Sequence, residues 1–138
     1  MKISTKKSDL DIKFINAFIS NSYWGKGRTI EETKKCIENS LNFGMFSNGK
    51  QIGYARVVTD FTIFAYILDV FIMENERGKG FSISIMNDIM NHPKLKNLKT
   101  WKLATSDAHG LYKKYGFDSI INPENLMERK RNTVANII

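Results

Sequence analysis

The chain has 138 residues, of which 42% are hydrophobic, and 21 Lys and Arg stand against 14 Asp and Glu for a formal charge of +7. That length suits one domain of ordinary size, and the apolar share is enough for a core, so global disorder and a second ordinary domain are both excluded. A lone cysteine, Cys36, with only His92 and His109 beside it, excludes an intramolecular disulfide framework and a multi-cysteine zinc site and points to no metal centre.

In chain order, Leu10, Phe14 and Phe18 recur every fourth residue with Ile15 and Ile19 beside them, and this stripe predicts a helix over about 9–20. The lysines ahead of it have no apolar stretch behind them, so no secretory signal is expected. A loop over 21–28 carries Tyr23, Trp24 and two glycines. Thr29 with Glu32 forms a capping-box pair that opens a helix through about Asn42, with Ile30, Ile37 and Leu41 on its core face. The period then drops to two. Segments 43–46 and 51–58 flank Asn48-Gly49, which predicts a hairpin. A strand over 64–73 is almost unbroken in its apolarity, which predicts the centre of the sheet with both faces covered. It contains Asp69 and falls far below the ~18 residues that span a bilayer, so a soluble cytoplasmic protein is expected. Gly78 and Gly80 interrupt the chain, and Phe81, Ile85 and Ile89 with Met86 and Met90 describe a helix ending near His92-Pro93. A strand over 98–104, a short helix opened by Ser106 or Asp107 and closed at Gly116, and a last strand over 117–121 complete the pattern. Helices before a hairpin and alternation after it predict one mixed α/β domain over 1–138, its sheet antiparallel first and partly parallel later.

Between the third strand and the following helix lies Glu76-Arg77-Gly78-Lys79-Gly80-Phe81-Ser82. Two glycines let the backbone approach a ligand, and amides at a helix N-terminus form a phosphate cradle. The spacing matches neither a Walker loop nor Gly-x-Gly-x-x-Gly, which weakens the nucleoside triphosphate and dinucleotide readings; a plain tight turn stays open. The positive charge favours an anionic partner without choosing among nucleic acid, a membrane surface and a polyanionic small molecule.

The loop resembles the pyrophosphate-binding motif of the GNAT superfamily of acetyl-CoA-dependent N-acetyltransferases, Arg/Gln-x-x-Gly-x-Gly/Ala. Arg77, Gly80 and Ser82 approximate it, serine standing where glycine or alanine is usual. Residues 106–117, Ser-Asp-Ala-His-Gly-Leu-Tyr-Lys-Lys-Tyr-Gly-Phe, are similar to the family's helix-and-strand segment ending Tyr-x-x-x-Gly-Phe. In order of elements the resemblance runs from about Trp24 to Phe117. It implies a GNAT-like fold: a central mixed sheet of about six to seven strands, partly parallel around two splayed strands, flanked by about four helices.

The same resemblance implies an N-acetyltransferase that takes acetyl-CoA as cosubstrate and moves the acetyl group directly to a primary amine. Val70, Phe71 and Ile72 would pair through their backbone with the pantetheine arm. The amides of Arg77, Gly78, Lys79, Gly80, Phe81 and Ser82 would hold the diphosphate. Tyr112 takes the place of a general acid for the departing thiolate, which is reasonable because a phenol near 10 stays protonated above a thiol near 8.5. Asp69 is the candidate base, directly or through water, with a paired structural acid as the alternative. Tyr23, Trp24 and Arg28 would wall the acceptor pocket, Arg28 facing an acceptor carboxylate or phosphate, and His109 would share the helix face of Tyr112. Tyr115 is expected to pack. The partners implied are a small-molecule or peptide amine, with no membrane, nucleic acid disfavoured and a homodimer left open. A basic module for nucleic acid or another polyanion, and a catalytically silent acyl-CoA binder, stand as the other readings.

Overall fold

Two side-chain caps fix where the first helices begin. The Asp11 carboxylate accepts the Phe14 amide at 3.1 Å, and Thr29 and Glu32 cap each other's backbone in the expected box. In the computed structural model, which describes residues 1–131, the elements run β1 (Lys2–Ser4), α1 (Ile12–Ser20), α2 (Ile30–Glu38), β2 (Leu41–Ser47), β3 (Lys50–Thr59), β4 (Phe64–Ile72), α3 (Phe81–Asn91), β5 (Thr100–Leu103) and α4 (His109–Lys113). Helix α2 stops before its expected end because the Asn42 amide group turns back onto the Ile37 and Ser40 carbonyls at 2.9 and 3.0 Å. Leu41 therefore opens a strand instead of facing the helix core.

The sheet order is β1-β2-β3-β4-β5, antiparallel except for the parallel pair β4 and β5. The expected six to seven strands are thus corrected to five among the described residues. Strand β1 is too short to show a period. The stretch 117–121 forms no strand: Phe117 packs edge-on against Trp101 and Tyr112, the Ser119 amide turns onto the Asp118 carboxylate, and Ile121 stands in solvent. The middle of the sheet is β3, buried from Gln51 through Val57, and not β4.

Two apolar layers cover the sheet. Phe43, Val57, Ala65, Ile67, Ile72 and the α3 residues Ile85, Met86 and Ile89 form one cluster, and Ile15, Ile19, Ile37, Tyr54 and Phe71 form the other under α1 and α2. Strict alternation would put Ile67 and Phe71 on the same face. Between them the register jumps: Arg56 pairs with Leu68 and Tyr54 with Phe71, so Asp69 and Val70 together oppose Ala55. This is a β-bulge, two residues against one. Asp69 adopts φ 54° there, a left-handed conformation that aspartate tolerates better than most side chains. The extra residue inverts the phase of the strand and moves Phe71 onto the α1 face, where its ring stacks on Phe18 at 3.9 Å.

Candidate functional site

Strand β5 accompanies β4 only from Phe64 to Ile67, while β4 runs on through the bulge to Ile72. The two strands part there. Beyond the bulge β4 borders a hollow of about 920 Å³ whose walls include Phe18, Val70, Ile72, Arg77, Ser82 and Tyr112. A second hollow, about 500 Å³, is walled by Arg28, Tyr66, Asp69, Leu103 and Ser106 among others. Tyr23, Trp24, Val70, Asp107, Ala108 and Tyr112 border both, so the hollows meet at the splay.

At one end of the larger hollow the chain turns into α3. Gly78 and Gly80 have φ of 79° and 80°, where a side chain is strained, and Gly80 is the N-cap without any side-chain cap. The helical ladder begins with the Ser84 amide on the Gly80 carbonyl at 3.2 Å, which leaves the first-turn amides for a ligand. These features fit a diphosphate. Arg77 and Ser82 line the hollow, whereas Gly78, Lys79, Gly80 and Phe81 form the turn between them. Lys79 is drawn aside onto Glu76 at 2.8 Å. The Arg77 Nε donates to the Ile72 carbonyl at 3.0 Å and so fastens the loop to the end of β4. The Ile72 carbonyl thus already has one partner. Val70, in the bulge, has no cross-strand partner on either side.

Tyr112 is 8% exposed and its ring rests against Phe117. Its hydroxyl has no hydrogen-bond partner among the described residues, and no buried polar side-chain atom among them is left unsatisfied, so the oxygen is not sealed in the core; the residue lines both hollows and a third beside them. Burial, with a smaller contribution from Asp107, pushes this phenol above its ordinary value. Tyr115 contrasts with it: its hydroxyl donates to Asn87 Oδ1 at 2.9 Å with the Ile83 carbonyl at 3.1 Å, tying α4 to α3.

The Asp69 side chain is 4% exposed and lies between two arginines. Its Oδ2 accepts from Arg28 Nη1 at 2.7 Å and Arg56 Nε at 2.8 Å, and its Oδ1 from Arg28 Nη2 at 3.2 Å. The expectation of a free base is corrected by this geometry, which is that of a paired acid. Burial alone would lower the Arg28 guanidinium, but the hydrogen bond and charge of Asp69 outweigh it and raise the group overall.

Tyr23 and Trp24 stand in the loop before α2, at the meeting of the hollows, and the Tyr23 hydroxyl is hydrogen-bonded to Ser106 across the gap. His109 borders neither of these hollows; it lines a third, of about 340 Å³, together with Tyr112, Trp101, Lys113 and Phe117. Sequence reasoning missed Arg56 and Phe18, whose positions read as ordinary strand and helix residues. The expected cap at Ser106 or Asp107 is corrected too: Ala108 is the N-cap, without a side-chain bond. The Ala108 amide goes to Thr105 Oγ1 at 3.0 Å.

Residues 38–119 match a family described as the acetyltransferase (GNAT) domain. A Xanthomonas campestris pv. campestris protein described as belonging to the GNAT family of acetyltransferases is 43% identical, with a TM-score of 0.91 over 94% of this chain and 92% of that one. A Gibberella zeae protein with an acetyltransferase name is 25% identical, covering 81% of this chain and 75% of its own. A Clostridium acetobutylicum acetyltransferase structure with acetyl-CoA shares the fold at a TM-score of 0.70 and 18% identity, over 96% of each chain. Among the described residues no helix is long and apolar enough to cross a membrane.

Proposed function

The chain belongs to the GNAT acetyltransferase family, and from that premise we propose that it moves the acetyl group of acetyl-CoA directly to a primary amine. The observation that carries this reading is the splay: the edge of β4 past Asp69 borders the larger hollow, which is also lined by Arg77 and Ser82 on either side of an open helix N-terminus and by Tyr112. The amides after Gly80 hold the diphosphate, and the helix dipole adds to their attraction for it. Val70 and Phe71 pair with the pantetheine arm, while the carbonyl of Ile72 stays with Arg77. An amide in that stretch, aimed at the thioester oxygen, stabilises the charge that develops as the amine attacks, an effect worth ~3 kcal/mol.

The amine enters through the second hollow and meets the thioester where the hollows join. The new carbon–nitrogen bond forms as the carbon–sulfur bond breaks, and Tyr112 gives its proton to the departing thiolate. The phenol holds its proton at neutral pH, and burial, which raises it further, makes it a weaker donor, so the transfer relies on the closeness of the departing thiolate. The proton lost by the amine passes to water in the second hollow. Asp69 is a positioning residue: through Arg28 and Arg56 it holds the bulge that frees the strand edge. Cys36 lines neither of the two hollows, so the transfer needs no enzyme thioester.

Two measurements test the reading. Calorimetry with acetyl-CoA should give one site, and a panel of primary amines should release free CoA in proportion to acetylated product. Absence of heat with acetyl-CoA overturns the reading. Heat without release identifies a silent acyl-CoA binder, and stabilisation by an oligonucleotide alone at moderate salt identifies a polyanion module.

A further inference from the structure

The second hollow contains a cation whose surroundings do not neutralise it. Arg28, Arg56 and Asp69 form one linked unit with side chains 20%, 10% and 4% exposed, and two positive charges against one negative leave it at +1. A net charge held largely away from water is unfavourable unless something opposite meets it. Of the two arginines only Arg28 lines the hollow. It spends one hydrogen of each Nη on Asp69, which leaves Nε–H and one hydrogen on each Nη, since a guanidinium carries five. The two-point grip fixes its plane, so those remaining donors have a set direction, the requirement for gripping a carboxylate or phosphate. Glu32 is another acid whose charge Arg28 feels, but it stands exposed at the start of α2, where solvent screens it, and it forms no ion pair with Arg28 among the described residues.

An acid lies elsewhere on the same wall. Asp107 borders both hollows beside Tyr112, forms no ion pair among the described residues, and is the negative charge that Tyr112 feels. Arg28 borders the second hollow alone. The second hollow therefore carries a negative group where it meets the first and a positive one that the first hollow lacks, and Tyr23, Trp24 and Tyr66 also line it.

We propose that the acceptor is a zwitterion of amino-acid type: an amine, held at Asp107, on a short carbon chain that also bears a carboxylate or phosphate, held by Arg28. This rests on the transferase reading and names the substrate class of its acceptor site. Two matched pairs test it on protein saturated with CoA, by calorimetry and by free-CoA release with acetyl-CoA: phenylalanine against 2-phenylethylamine, and O-phosphoethanolamine against ethanolamine. The anionic member of at least one pair should bind at least about tenfold more tightly than its neutral partner, and the pair that shows it tells carboxylate from phosphate. Arg28→Gln should bring that ratio to within about threefold, and Arg28→Lys, which keeps the charge but loses the fork, should recover part of it. A single cooperative thermal transition in each variant shows that they are folded, and each is saturated with CoA at its own affinity before the pairs are compared. Equal or tighter binding of the neutral members, no binding by any of the four, or a preference that survives Arg28→Gln overturns the proposal. Should CoA itself give no heat, the transferase reading fails separately, and the same titrations on the unloaded protein decide whether Arg28 selects anions.

Discussion

The first four residues of β4 and its last five make an instructive pair. From Phe64 to Ile67 the strand has β3 on one side and β5 on the other, its backbone groups are spent within the sheet, and Ala65 and Ile67 point into the α3 layer. From Leu68 to Ile72 it keeps β3 alone, with the bulge opposite Ala55, Phe71 in the opposite layer and an edge against the larger hollow. One inserted residue separates the two conditions. The difference teaches that the site is made by ending a ladder, and that the chain keeps the exposed edge from collapsing by nailing the bulge to two arginines.

The strongest way to break that contrast is Asp69→Asn. Asparagine accepts the left-handed backbone as readily as aspartate, so the change isolates the charge. Two guanidiniums lose their counter-ion, and removing one partner of a buried pair costs about 3 kcal/mol or more, read as a lower urea midpoint. A loss below about 1 kcal/mol would mean that the second half of β4 is held by something else.

Tyr112→Phe probes the group facing the unpaired half. Turnover should fall about 100-fold, some 2.7 kcal/mol in the barrier, while calorimetry finds acetyl-CoA affinity nearly unaltered. Unaltered turnover rejects the proton-donor role. Gly80→Ala tests the far end of the same hollow. The added Cβ meets nothing within 4 Å, so the effect is the cost of the left-handed backbone, about 1–2 kcal/mol. It should appear as acetyl-CoA binding weakened about tenfold, with a slightly lower Tm.

The smallest effect is in alkali. Burial raises Tyr54, beneath the second half of β4, and Tyr112, across from it. Their folded values lie above the unfolded reference near 10. Their contribution to stability is therefore complete below that pH and is lost as pH rises through the folded values, the unfolded chain releasing its protons first. Unfolding midpoints should be level with respect to these two groups until about pH 10 and then decline, less steeply in Tyr112→Phe.

What could be read from the sequence was what is local. Asn48 and Gly49, with φ of 52° and 79°, sit in the turn they announce, and Thr29 with Glu32 caps α2 as their spacing says. The glycine loop and the segment around Tyr112 were legible because each is contiguous. What escaped depends on distant partners. Asp69 drew notice as an acid in an apolar strand, but nothing nearby in the chain reveals that Arg28 and Arg56 converge on it. The apolar run of β4 looked central because a bulge that sends alternate residues to different layers leaves no mark in hydropathy. The contact between Tyr23 and Ser106 joins positions 83 apart, and Phe117 to Ile121, apolar at both ends, had the composition of a strand without a neighbour to pair with.

The reciprocal cap at the start of α2 has a consequence for how selectivity can drift. Arg28 immediately precedes Thr29, so the hydrogen bonds that set the helix origin also set the stem from which the guanidinium reaches Asp69. If Arg28 grips the acceptor as proposed, a change at exposed Glu32, which lines neither hollow, should shift the preference among acceptors without touching Tyr112 or the glycine turn.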